Sequence, residues 1–289
     1  MSPATYAYYP GCALHSTAKE YDVSTKLVTK ALGIELRELE DWICCGASSA
    51  HTISRPLSIS LPAHELVSAG KQGLPLVTSC AMCFSRLKFS SKEIQDPETR
   101  EMVGQVLGEE VPENQEVNHL LEVLSREEIP VTRSLSGLRI ACYYGCLLTR
   151  PAAVTQFDDS VENPQIMDRL LQRLGAETLD WPFKTECCGA GMLIPRRDIV
   201  IKLSHRLLYQ ARQAGANCLA VACPVCHSNL DLRQREMRSR YGDHFDLPVL
   251  YFTQLIGLAM GFSPAEMLLD HHFSDPMPLM REQGWVKKG

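Results

Sequence analysis

The sequence predicts an α/β protein: two tandem, pseudo-symmetric βαβ units with parallel sheets, joined by an acidic helical linker and followed by a helical tail. Three observations carry this. The same figure of cysteines occurs twice along the chain. Around each copy, short β-rich runs alternate with stretches of helical period. Between the copies the composition turns acidic. At 289 residues the chain has the length of two ordinary domains. The predicted segments are 1–90 (first unit), 91–135 (linker), 136–245 (second unit) and 246–289 (tail).

In chain order, Thr5 to Tyr9 reads as a strand, Val23, Leu27 and Ala31 mark a helix by their i, i+4 spacing, and Leu74 to Thr78 reads as a second strand. In the linker, Glu93 to Glu128 holds 11 acidic residues against Arg100 and Arg126, a local charge of −9. Met102, Val103, Val106 and Leu107, then Val117, Leu120, Leu121 and Leu124, recur at helical spacing, and Pro112 and Pro130 punctuate them. Two amphipathic helices with a solvated acidic face are expected there. In the second unit Leu138 to Tyr143 and Cys218 to Ala222 read as strands. Helices are marked by Ile166, Leu170 and Leu174, and by Leu203 and Leu207. The tail has no evident counterpart after the first copy. Its apolar run Leu247 to Phe262 is 16 residues long, interrupted by Thr253, Gln254 and two glycines. That is short of the roughly 20 residues needed to span a bilayer, so a core or partner-facing helix is expected.

Composition narrows the function classes. Hydrophobic residues at 45% and charged residues at 22% describe a packed globular chain. A net charge of −5 gives no basic footprint for nucleic acid. The opening MSPATYAYYPGC lacks a basic n-region and a long apolar stretch. A cytoplasmic protein without a transmembrane segment is expected.

The unusual number is 12 cysteines. Ten of them make one figure twice: a single Cys after Gly, a Cys-Cys-Gly, and a C-x-x-C. The first copy is Cys12, Cys44, Cys45, Cys80 and Cys83; the second is Cys146, Cys187, Cys188, Cys223 and Cys226. The gap from the paired cysteines to the C-x-x-C is 34 residues in both copies, whereas the first gap grows from 31 to 40. Neighbouring text repeats too: YYPGC against YYGC, Leu32-Gly33-Ile34-Glu35 against Leu174-Gly175-Ala176-Glu177, and Asp41-Trp42 against Asp180-Trp181. This is an internal duplication. Cys142 and Cys218 stand outside it, within strand-like runs, and are read as small core residues.

Cys12, Cys80, Cys146 and Cys223 each follow a strand-like run directly. In a parallel sheet such positions share the carboxyl edge, where these folds hold ligands. Pro224 suits the first position of a helix, whose N-terminus favours thiolates.

Disulfides are a poor reading, because adjacent cysteines pair badly: the usual bridge wants Cα atoms about 5.5–6 Å apart. Zinc sites use four ligands, and five are one too many. Ordinary iron–sulfur clusters also use four Cys, so a fifth thiolate must bridge or stay spare. The residues by themselves show a thiolate surplus, not a cluster geometry.

The duplicated ten-cysteine figure resembles the CCG-domain (cysteine-rich domain) family, and within it the B subunits of heterodisulfide reductases, over about Tyr6 to Gln234. The resemblance implies one noncubane [4Fe-4S] cluster on each set of five cysteines, two in all. It implies reversible two-electron cleavage of a disulfide between two thiol cofactors. The implied partners are an iron–sulfur C-type subunit and a flavin-bearing A-type subunit. The clusters themselves would be the catalytic groups. The rivals are an electron-relay subunit of a fumarate, lactate or glycerol-phosphate oxidoreductase, and a zinc-stabilised assembly protein. His227, Asn229 and His15 are candidates to touch substrate or a cluster sulfur, with His51 behind them. Arg150, Arg196 and Arg197 are expected at the solvated surface.

Overall fold

The computed structural model describes residues 4–47, 49–158 and 160–286. The outermost ends of the first and last predicted segments, 1–3 and 287–289, lie outside the described residues. Eight strands form two sheets. The first contains Thr5–Tyr9 (β1), Glu35–Glu38 (β2), Leu76–Thr78 (β3) and Val117–His119 (β4), in the order β2-β1-β3-β4. The second contains Arg139–Tyr143 (β5), Glu177–Thr178 (β6), Cys218–Val221 (β7) and Val249–Tyr251 (β8), in the order β6-β5-β7-β8. Every pairing is parallel, with Tyr9 opposite Thr78 in one sheet and Tyr143 opposite Val221 in the other. Ala7, Tyr8 and Tyr9 are all buried, as is the whole of β7. Helices therefore cover both faces, as parallel sheets require.

The strand order reverses between β1 and β3, and again between β5 and β7. At such a switch point the following connections leave to opposite sides and open a crevice at the carboxyl ends of the strands. Cys12 and Cys80 follow β1 and β3; Cys146 and Cys223 follow β5 and β7. The duplicated fold thus makes the same crevice twice.

The linker and tail differ from expectation. Val117 does not begin a helical stripe: Val117–His119 is the fourth strand of the first sheet, and the helix starts only at Leu120. The strand is three residues long, too short to show an alternating pattern, and pairing with β3 outweighs the local helical period. The tail likewise opens with β8, followed by the helix Phe252–Met260. It does have a counterpart in the first copy, namely β4 with the helix Leu120–Ser125. No cysteine marks either element, so the repeat was invisible there. The acidic helix Pro97–Leu107 stands as a helix, with Asp96 accepting the Thr99 backbone N–H at 2.9 Å.

The two copies pack reciprocally. Helix Lys19–Ala31 of the first lies on Phe252–Met260 of the second, and Ile166–Arg173 of the second lies on Leu120–Ser125 of the first. Helix Ala81–Glu93 touches Cys146–Thr149, while Pro224–Asp231 touches Gly11–Leu14. This is the self-complementary logic of a two-fold dimer, fused in one chain. Tyr21 stacks on Tyr251 with ring centroids 3.9 Å apart, and the Ser24 and Thr253 hydroxyls meet at 2.7 Å. Among the described residues, no helix is long and apolar enough to cross a membrane.

Candidate metal centre

Each C-x-x-C begins a helix. Cys80 and Cys223 are the N-caps of Ala81–Glu93 and Pro224–Asp231, with Pro224 at the first helical position. Cys83 and Cys226 fall one turn on, so each motif occupies the positive end of a helix dipole. The paired cysteines arrive on the loop after β2 or β6. There the Sγ atoms of Cys45 and Cys83 lie 3.4 Å apart, as do those of Cys188 and Cys226. Cys146 interacts directly with Cys187, and Cys44 with Cys45.

Two tyrosines shape these loops. The Tyr9 hydroxyl donates to the Ile43 carbonyl at 2.8 Å and accepts the Cys45 backbone N–H at 3.0 Å. Tyr143 donates to the Glu186 carbonyl at 2.7 Å, the equivalent position before the second Cys-Cys. Gly11 and Gly145, which precede Cys12 and Cys146, have φ of +73° and +71°. A β-carbon at either would come 3.0 Å from the Cys83 Sγ or 3.2 Å from the Cys226 Sγ. Only glycine supplies both the backbone angle and the room.

All five cysteines of the first set line one cavity of about 120 Å³ together with Pro10, Gly11, Ala13, Ala47, Met82 and Val225. Val225 belongs to the second C-x-x-C and is the repeat-equivalent of Met82, so this cavity reaches the boundary between the copies. At that boundary Cys80 and Cys223 are near enough for each to shift the other's ionisation. The thiols of each set shift one another's ionisation in opposite directions. Contact with Cys44 and Cys83 holds Cys45 well below the ordinary thiol range, and contact with Cys226 and Cys80 does the same for Cys223. Contact with Cys146 brings Cys187 down to about 6, helped by backbone N–H groups at Gly189 and Ala190. Their neighbours Cys44, Cys80, Cys83, Cys146 and Cys226 are pushed up in turn. A cationic core held between the thiols would relieve this. The lining of the first cavity offers five thiols and neither carboxylate nor imidazole. That donor set fits a soft, sulfide-bridged iron cluster and fits Mg²⁺ or Ca²⁺ poorly.

Cys142 and Cys218 are fully buried in β5 and β7 and line none of this cavity. Burial alone pushes the Cys218 thiol up to about 12. Cys142→Ala and Cys218→Ala are expected to keep the full metal content at a stability cost of about 1–2 kcal/mol each, from the small cavity left. Iron analysis and thermal denaturation check this, and a loss of iron matching that of Cys45→Ala would place them among the ligands.

The other candidates separate. Asn229 stays near the site: its amide lies 3.4 Å from the Cys188 carbonyl and 3.5 Å from its sulfur. His15 turns away from the cavity, its Nε2 2.8 Å from Glu38 and its ring edge-on to Trp42. His51 is exposed. His227 is buried, stacked on Tyr251, with Nε2 2.9 Å from the Val249 carbonyl and 3.0 Å from His272 Nδ1. Burial lowers its pKa to about 4. His227, Asp231 and His272 cluster within 4.8 Å of one another. Gln254 accepts the Tyr251 N–H through Oε1, so its amide N donates to His272 Nε2, while Asp231 accepts from the Phe273 and Ser274 N–H groups. Arg150, Arg196 and Arg197 pair with Glu162, Asp198 and Glu236.

Sequence reasoning missed Tyr9, Tyr143 and Val225 as parts of the site; the repeated YY before the first Cys of each copy was the signal for the tyrosines, and Val225 lay inside the second C-x-x-C. It also missed Glu65, which accepts the Ile43 N–H at 2.9 Å behind the first cysteine pair. Burial raises the Glu65 pKa to about 8. His119 was missed as well. Desolvation lowers its pKa to about 4, and the ring is neutral.

The model of the CCG cysteine-rich domain matches residues 6–88 and 140–231. The chain is 31% identical to the "8-methylmenaquinol:fumarate reductase membrane anchor subunit" of Wolinella succinogenes, over 95% of this chain and 98% of that protein. It is 29% identical to the B subunit of the ferredoxin/F(420)H(2)-dependent CoB-CoM heterodisulfide reductase of Methanosarcina acetivorans, over 93% of each. Among solved structures, a hypothetical protein from Helicobacter pylori aligns with a TM-score of 0.80 at 16% identity. The alignment covers 94% of this chain and 52% of that longer one, and shows a shared fold.

Proposed function

From the premise that the chain belongs to the CCG cysteine-rich domain family, we propose that it is the disulfide-reducing subunit of a heterodisulfide-reductase-like oxidoreductase. In this reading, Cys12, Cys44, Cys45, Cys80 and Cys83 hold one noncubane [4Fe-4S] cluster, and Cys146, Cys187, Cys188, Cys223 and Cys226 hold the other. The observation that carries it is the junction of two complete thiol sets. Val225 of the second C-x-x-C lines the cavity that holds all five thiols of the first set, and His119 Nε2 lies 3.1 and 3.2 Å from the carbonyls that precede Cys80 and Cys223.

Cleaving a disulfide to two thiols consumes two electrons and two protons. Bound on the two sets, the clusters would each supply one electron and one site for sulfur. The two protons come from the medium, and the chain's own residues shape the site. Tyr9 and Tyr143 fix the cysteine-pair loops, and the glycines admit Cys83 and Cys226 to the sites. Pro10, Ala13, Ala47, Met82 and Val225 keep the first cavity apolar, which lowers the dielectric around the reacting sulfurs. The partners in this reading are an iron–sulfur C-type subunit, a flavin-bearing A-type subunit and a small-molecule disulfide.

The resemblance to the fumarate reductase subunit favours one second reading, an electron-relay and attachment subunit of a quinol-linked complex. Thiol counting separates the two. Anaerobically purified protein, given dithionite-reduced methyl viologen and a mixed disulfide of two small thiols, is expected to release about one thiol per electron consumed. Dye oxidation by a downstream acceptor with no thiol release would support the relay.

A further inference from the structure

We propose that His119 is a positioning residue that sets the spacing between the two cysteine sets by tying both C-x-x-C loops to one imidazole N–H. His119 ends β4 and is fully buried. Its Nδ1 accepts the Leu121 backbone N–H at 3.2 Å. In a neutral ring the proton is then on Nε2. That nitrogen lies 3.1 Å from the Ser79 carbonyl and 3.2 Å from the Ala222 carbonyl. Ser79 and Ala222 are repeat-equivalent residues, and each immediately precedes the first cysteine of its C-x-x-C. One donor is thus shared, almost equally, between the same atom of the two copies.

The ring has little freedom to leave this place. Phe84 and Phe157 stand edge-on to it with centroids 5.7 and 6.2 Å away, and Phe252 lies at 6.3 Å. These neighbours come from both copies. The duplication itself is broken here: the residue ending β8 is Tyr251, whose ring stacks on Tyr21 and His227 instead. A donor placed between two equivalent carbonyls leaves no room for its own symmetry mate, so a tie on the pseudo-dyad must be asymmetric. Cys80 and Cys223 stand one residue beyond the tied carbonyls. Without the N–H, both buried carbonyls lose a donor and the loops can separate.

The role in disulfide cleavage rests on the proposed function, because one substrate must reach both sets; the spacing itself does not. The test uses full-length protein and two readouts. In chain freed of metal by chelation, with its circular dichroism matched to the untreated protein, mild oxidation is followed by peptide mapping of the Cys80–Cys223 link. The Cys45–Cys83 link, within one set, is the internal reference. In iron-loaded protein, the dipolar interaction between the two paramagnetic centres reports the same spacing. His119→Phe keeps an aromatic ring and removes the N–H. It is expected to lower the ratio of the between-set to the within-set link by about fivefold, the shift from losing one hydrogen bond of ordinary strength, and to weaken the dipolar interaction. His119→Gln restores a donor and is expected to recover most of the ratio.

An unchanged ratio and unchanged dipolar interaction in His119→Phe would overturn the proposal. If that variant does not fold, His119→Met, flexible and without a donor, takes its place under the same criteria. Failure of both to fold beside a native His119→Gln would make His119 a general stability residue and also overturn it. A wild-type chain that forms the Cys80–Cys223 link but releases no thiols from a disulfide would sink the proposed function and leave the positioning role intact.

Discussion

Cys45→Ala and Cys188→Ala are each expected to abolish disulfide reduction, with a loss well beyond the roughly 10–100-fold that outer-shell changes cost. Both cysteines are buried, and each sits 3.4 Å from the inner thiol of its C-x-x-C. Their removal takes a central donor from one set and leaves the other set complete. The Tyr9 contact is to the Cys45 backbone, so the loop keeps its anchor in the variant. If the two sets act together on one disulfide, a single surviving set lacks both the second electron and the second sulfur site. A relay would behave differently. Its sites would work in series, and loss of the distal one would leave the proximal one reducible by the donor. Turnover is measured as thiol release under anaerobic conditions, beside iron content and the rate of reduction by the dye. A variant with half the iron and substantial thiol release would reject the paired mechanism. Val225 in the lining of the first cavity makes the two outcomes distinct, because it brings the second C-x-x-C to the boundary of the first set.

Anaerobically purified protein is expected to carry about eight iron and about eight acid-labile sulfide per chain, with little zinc, if each five-thiol set holds a four-iron cluster. Removal of the metal should have a second, large effect. Neighbouring thiols push Cys44 and Cys83 up while Cys45, Cys187 and Cys223 are held down. Chelation removes the metal–sulfur bonds, and metal-binding free energy is folding free energy wherever the unfolded chain lacks the site. Chelated protein is therefore expected to unfold at a clearly lower temperature than loaded protein. Colorimetric iron and sulfide assays with a thermal scan check both parts. Stoichiometric zinc without sulfide would return the donor set to a zinc reading, and equal unfolding temperatures would show that the thiol sets are preformed at no cost.

The cysteine figure was legible in the sequence because its spacing is covalent: 34 residues separate the pair from the C-x-x-C in both copies. The strand Thr5–Tyr9 was legible to the residue, and Leu76–Thr78, Arg139–Tyr143 and Cys218–Val221 to within two. Apart from Thr5, Tyr6 and the exposed Arg139 these runs are buried, and they read as near-continuous apolar or aromatic text. The edge elements were not legible. Val117–His119 looked helical with its neighbours, and Val249–Tyr251 was absorbed into an apolar tail. Three residues carry too little pattern to compete with the helix that follows, and only the open edge of β3 or β7 selects the extended form.

The site divides in the same way. Residue type and spacing were enough to nominate ten thiols, to set Cys142 and Cys218 apart, and to place four cysteines at strand ends. Sequence by itself therefore determined the chemistry of the donor set and its duplication. What the tertiary structure decided is how the two sets meet. The reciprocal packing of the copies brings Cys80 near enough to Cys223 to shift its ionisation and seats Val225 in the first cavity. It puts one histidine between Ser79 and Ala222, 143 residues apart. Those contacts join segments separated by more than a hundred residues, and their energies come from burial and shape rather than from local pattern. A linear spacing can specify which atoms are available; only packing against the other copy specifies the distance between them.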